Sequence, residues 1–141
     1  LDIGTNTTTA TVTLTAQNTL IQAKAGALNV NAGSKITGGA GNNVVLQSDN
    51  IFINSGTGSI TTGGTVTVAP VTLSRNIYLG SAASTPLPGL KINQSDIDAI
   101  DTSLLIFGQN GGSGAVTVGT TNVNDLLSIA QALAKSSDPL L

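Results

Sequence analysis

Asp96, Asp98 and Asp101 are the only close-set carboxylates in the chain. Neighbouring aspartates can serve as acid and base, or acid and nucleophile, in glycoside hydrolysis, so a glycan-cleaving centre is one reading. The second reading is architectural. Ser95 is a good N-cap, Asp98 three residues on suits a capping box, Asp96 falls in the first turn, and Asp101 can end it. The second reading is preferred, because nothing else in the chain completes an active centre. There is no His and no Cys, so zinc sites lack their usual nitrogen and sulfur ligands and nucleophile–His pairs are impossible. The cations Lys24, Lys35, Arg75, Lys91 and Lys135 are scattered. The expectation is no catalytic, cofactor-binding or metal-binding residue, and no enzyme.

Other patterns lead to the same place. The loop Gly108-Gln109-Asn110-Gly111-Gly112-Ser113-Gly114 lacks the Lys-Ser/Thr of a phosphate cradle and leads into a strand pattern rather than a helix. Gly38-Gly39-Ala40-Gly41 is followed by Asn42-Asn43, without the Asp of a calcium-binding nonapeptide. Thr7-Thr8-Thr9, Thr11, Thr13 and Thr15 form a hydroxylated row of the kind that binds ice when it repeats on stacked layers. Asn29, Asn31 and Gln47 are its expected equivalents, so the row reads as a solvated strand face.

The elements that would carry these residues are short and alike. Val12-Thr13-Leu14, Leu28-Asn29-Val30, Val44-Val45-Leu46, Ile51-Phe52-Ile53, Val66-Thr67-Val68, Ile77-Tyr78-Leu79, Leu104-Leu105-Ile106 and Val116-Thr117-Val118 repeat one pattern. Alternation of this kind marks strands with one buried face, and glycines punctuate the intervals. Chemically similar aliphatic positions in successive short strands predict a parallel β-helix, in which equivalent residues stack from coil to coil. Ser81 to Gly89 reads as an excursion, followed by the helical turn near 95–100. Asn124 can cap a helix from Asp125 to about Lys135, with Leu126, Leu127, Ile129, Ala130 and Leu133 as its apolar stripe. The expected division is a β-helix segment over 1–122 and a helical cap or tail over 123–141.

Composition narrows the partners. The 141 residues carry a net charge of -2 and only 9% charged side chains, which argues against a nucleic-acid partner, since phosphate binding needs clustered Lys and Arg. Aromatics make up 2%, so the core must be narrow and aliphatic. No stretch approaches the ~18 apolar residues of a membrane helix. Leu1-Asp2-Ile3-Gly4-Thr5 has no leader pattern, and both termini read as interrupted, so a fragment of a longer protein is expected.

Residues 66–118 carry a recurring order of elements: Val66-Thr67-Val68, Asn76-Ile77-Tyr78-Leu79-Gly80, Ser95-Asp96-Ile97-Asp98-Ala99-Ile100, Leu104-Leu105-Ile106-Phe107-Gly108 and Gly114-Ala115-Val116-Thr117-Val118. This order resembles a module of filamentous-haemagglutinin-like exoproteins, large bacterial adhesins secreted by the two-partner route. The resemblance implies a right-handed parallel β-helix in a secreted or outer-membrane surface protein. It implies a structural and adhesive role toward surface glycans or proteins, with head-to-tail self-association as a further expectation. A β-helical glycan-binding or glycan-cleaving domain is the alternative. The Pro86–Pro88 loop and the terminal helix depart from the family's pattern.

Overall fold

The computed structural model describes residues 1–5 and 7–119; the helix expected within 123–141 lies outside the described residues. The fold is mostly β, with parallel sheets. In chain order come β1 (Asp2–Ile3), β2 (Thr11–Leu14), β3 (Asn18–Ala23), β4 (Leu28–Val30), β5 (Lys35–Gly38), β6 (Asn43–Ser48), β7 (Ile51–Ile53), β8 (Ile60–Ala69) and β9 (Ile77–Leu79). A 3-10 turn at Gly80–Ser84 leads to β10 (Leu90–Ile92), α1 (Gln94–Asp98), β11 (Ile100–Phe107) and β12 (Val116–Val118). All eight repeated tripeptides fall inside strands. Several strands run well beyond the repeated tripeptides: β8 spans 10 residues, β11 spans 8, and β3 and β6 span 6 each. Their polar outward residues conceal the extension, because threonine, glycine and asparagine do not announce a strand by hydropathy alone.

Every strand pairing among the described residues is parallel. The register places like beside like. Ile3 pairs with Val30 and Val30 with Ile53; Val12 pairs with Ile36 and Ile36 with Ile60. Ile21 pairs with Leu46, Leu46 with Val68 and Val68 with Phe107. These columns point inward and form one core, in which Leu28, Val30, Ile36, Leu46, Ile60, Val66 and Val68 are fully buried. Phe107 is the aromatic of this core and Tyr78 is buried on β9; the other buried hydrophobic residues are aliphatic. A one-residue slip of any strand would carry its whole aliphatic set to solvent, and that fixes the register.

Polar residues close the bends. Ser34 Oγ accepts the Ala10 N–H at 3.1 Å, and Ser48 Oγ donates to the Gly26 carbonyl at 3.3 Å. Both serines are fully buried, and each links two successive layers by a bond that a buried polar group needs. Gly33 turns the chain into Ser34 with φ +76°, a backbone conformation that favours glycine.

The layers advance in chain order until β9. Asn29 and its partner Asp2 are 27 residues apart, Asn43 and Asn18 are 25, and Thr65 and Asn43 are 22. Beyond β8 the separation rises to 40 between Ser103 and Gly63 and 39 between Ala115 and Asn76. The cause is an inverted pair of strands. β10 follows β9 in sequence but precedes it in space: the order is β10-β9-β12, and β10 lies against β7. The chain overshoots to β9, returns through the 3-10 turn and the Pro86–Pro88 loop, and lays β10 into the layer it had skipped. The expected excursion therefore contains a strand of the stack.

The helical turn is shifted from its expected position. α1 runs over Gln94–Asp98, and its N-cap is Asn93 rather than Ser95. Asp96, not Asp98, closes the capping box: Asn93 Oδ1 accepts the Asp96 N–H, and the Asp96 carboxylate accepts the Asn93 N–H. Asn is as good a cap as Ser, and this choice lets Asp96 face the core side while Ser95 stays exposed. Residues 100 and 101, expected at the end of the turn, belong to β11.

Candidate functional site

The three aspartates do not form one site. Asp96 is buried, with Oδ1 accepting the Ile53 N–H at 3.0 Å and Oδ2 accepting the Asn93 N–H at 2.9 Å. Burial pushes its carboxyl above the ordinary value, and the two backbone bonds only partly oppose that. Asp98 takes a hydrogen bond from Gln94 Nε2 at 2.8 Å. It lines an open hollow of about 320 Å3 together with Ser95, Asn54 and Thr57, a hollow that neither Asp96 nor Asp101 reaches. Asp101 is exposed on β11, beside Thr61. A two-carboxylate mechanism needs both groups on one substrate, and here the carboxylates serve three separate surroundings. No group of three or more potential metal ligands occurs among the described residues.

The threonine row continues differently from the expectation. Thr13 pairs with Thr37 and Thr37 with Thr61, ending beside Asp101, while Thr11 pairs with Lys35. The inward column Val12–Ile36–Ile60 sets this register, so the equivalents of the row lie on β5 and β8, not at Asn29, Asn31 or Gln47. Those three belong to other polar ladders. Asn29 Nδ2 donates to Asp2 Oδ1 at 2.6 Å, Asn31 Nδ2 donates to the Gly4 carbonyl at 2.9 Å, and Gln47 Nε2 donates to Gln109 Oε1 at 2.6 Å. The glycine loop before β12 is a connection between strands, tied down by Ser113 N–H to the Leu73 carbonyl at 2.8 Å.

The strand inversion builds a groove that sequence reading did not foresee. β7 supplies Phe52 at an outward position, the segment before β9 supplies Arg75, β10 supplies Lys91, and the return loop supplies Leu87 between Pro86 and Pro88. The groove is open and holds about 280 Å3. Phe52 is 51% exposed and Leu87 56%. Arg75 Nη2 donates to Asn50 Oδ1 at 3.4 Å and to the Gly89 carbonyl at 3.3 Å, while its Nε is buried without a hydrogen-bond partner. Lys91 Nζ donates to the Thr85 carbonyl at 2.6 Å and thereby pins the loop. Asp49 stands close enough for the Arg75 charge to act on it, but its oxygens are taken by the Thr72 amide at 2.9 Å and hydroxyl at 2.6 Å. Burial alone would raise the Asp49 carboxyl; the Thr72 bonds and the Arg75 charge outweigh it and hold the carboxyl below the ordinary range. In the sequence Phe52, Arg75 and Lys91 look unrelated. The one signal available was Lys91 following a proline-flanked leucine at a break in the strand pattern.

No helix among the described residues is long and apolar enough to cross a membrane. The chain matches no family model, no curated protein and no solved structure.

Proposed function

We propose that the chain is a β-solenoid segment, a right-handed parallel β-helix, from a filamentous-haemagglutinin-like bacterial exoprotein, secreted or displayed on the cell surface. Its role is structural and adhesive: to extend, to resist unfolding and to present a polar face for attachment or assembly. The observation that carries this reading is the register. Parallel strands 22 to 27 residues apart place aliphatic residue beside aliphatic residue through successive layers, which is how stacked coils share a core. Right-handedness follows from the general preference of parallel crossover connections. The ladders Asp2–Asn29, Asn18–Asn43 and Gln22–Gln47–Gln109 supply the solvated outer rows of such a stack. The separate engagement of Asp96, Asp98 and Asp101 favours a non-enzymatic role over glycan cleavage.

The test is attachment. Beads coated with the folded chain should be retained on host-cell or glycan-coated surfaces more strongly than beads coated with the heat-denatured chain. Equal retention removes the adhesive role. Electron microscopy of the purified chain reads the assembly part directly, as rods that lengthen with concentration or as monomers that do not.

A further inference from the structure

We infer that the groove between β7 and the Thr85–Lys91 return loop binds a carboxylated saccharide, with one sugar ring against Phe52 and its carboxylate between Arg75 and Lys91. The site goes beyond the structural role proposed above and does not depend on it, since every residue that forms it lies within one stretch of the stack.

Charge makes the first argument. The chain has only 5 Lys and Arg, and two of them line this one groove. Both donate only to neutral oxygens. The two bonds of Arg75 are long, at 3.3 and 3.4 Å, and its Nε is unpartnered and buried. A guanidinium has five N–H donors in a planar fork suited to a carboxylate, and the two on Nη1 are used by no bond within the chain, whereas Nη2 is engaged and Nε lies out of reach of the groove. Asp49 offsets part of the charge, yet it is bound to Thr72 and does not fill the groove. An anion seated here gains from both cations at once.

Shape makes the second. Phe52 stands on a strand and Leu87 between two prolines, so the backbone that presents each is constrained although both side chains are exposed. An aromatic side chain has only two torsions to lose when it takes a ligand. The volume, about 280 Å3, lies just below the usual range of ligand sites and suits one or two sugar rings. The openness decides between a sugar and an acidic peptide. A peptide side chain that anchors an interface needs an enclosed, fully desolvated socket, and this groove has none. A pyranose ring has an apolar face and a polar rim, which fits an exposed ring flanked by donors and open to water.

The experiment is a titration of the full chain, read by backbone amide chemical shifts. The probes are the trimer of galacturonic acid, the same trimer fully methyl-esterified, and a short acidic peptide containing leucine. The acid trimer should shift amides confined to residues 50–52, 75 and 85–91, and added salt should weaken it. Esterification should abolish the shifts. Lys91→Gln and Phe52→Ser, both at exposed side chains, should each weaken binding about tenfold. Lys91→Gln alone decides if Phe52→Ser disturbs the spectrum elsewhere. The assignment is overturned if the acid trimer leaves these amides unmoved, if the ester binds as well, if Lys91→Gln binds unchanged, or if the peptide binds more tightly than the sugar.

Discussion

The carboxylate of Asp96 joins the backbone of Ile53, in β7, to that of Asn93, at the cap of α1, with bonds of 3.0 and 2.9 Å. It thus does two jobs: it closes the capping box of a five-residue helix, and it satisfies an N–H of β7 beside the inverted layer. A helix this short has no stability of its own, so its place depends on this clasp and on buried Ile97 and Ala99. Asp96→Ala should cost about 2–4 kcal/mol, because it removes a cap and strands a buried N–H on Ile53. Asp96→Asn keeps one acceptor and should fall between the variant and the parent. Urea unfolding gives both values, and an Asp96→Ala protein as stable as the parent would refute the clasp.

Asp96 and Asp49 should make opposite contributions to the pH dependence of stability. The Asp96 carboxyl is raised by burial above its ordinary 3.8, so the folded chain holds that proton more tightly than the unfolded chain. Its contribution therefore falls as pH climbs from 3.8 through the raised value. Asp49 is lowered below 3.8. Its contribution is present above 3.8 and is lost as pH drops through the lowered value. Denaturation midpoints across an acid pH series should lose the first feature in Asp96→Asn and the second in Asp49→Asn. A pH profile unchanged in both variants contradicts both assignments.

The strands were legible because their inward residues are Ile, Val and Leu at alternate positions, as in Leu28-Asn29-Val30. Parallel pairing was legible because those positions are chemically alike. The order of the layers was not. Nothing local to Ile77-Tyr78-Leu79 or Leu90-Lys91-Ile92 says that the later strand lies nearer β7, since the two patterns are interchangeable and only long-range packing ranks them. The groove was hidden for the same reason: Phe52, Arg75 and Lys91 meet because of that inversion. The cap falls two residues before the expected Ser95 because Asn93 and Ser95 are equally good caps, and what separates them is whether Asp96 or Asp98 finds an N–H to bind across the stack.

Opposite faces of one strand should respond oppositely to charge. Val68 is fully buried, between Leu46 and Phe107. Thr67, its neighbour, points outward between Val45 and Ile106 and is partly exposed. Val68→Asp buries a carboxylate among aliphatic side chains and should cost more than about 4 kcal/mol, a large part of the stability of an ordinary domain. Thr67→Asp should stay within about 1 kcal/mol. Circular dichroism during thermal melting distinguishes the two, and equal losses would contradict the inward and outward assignment of β8.

The inverted layer should be sensitive at Gly89. A Cβ built there meets the Tyr78 ring at 2.5 Å and the Asn76 carbonyl at 2.8 Å. Tyr78 is buried and Asn76 accepts the Leu90 N–H at 2.8 Å, so neither can give way without loosening the pairing of β9 with β10. Gly39 is the control: its Cβ meets Asn42 Oδ1 at an ordinary 3.5 Å, in a loop remote from this layer. Gly89→Ala should cost about 1–3 kcal/mol through overpacking, while Gly39→Ala should stay within about 0.5 kcal/mol. Amide exchange gives the sharper reading. Protection at Leu90 and Ile92 should fall in Gly89→Ala while protection at Ile36 and Val44 holds. If β10 packed outside the stack, an added methyl at Gly89 would find open space, and protection along all four residues would match the parent.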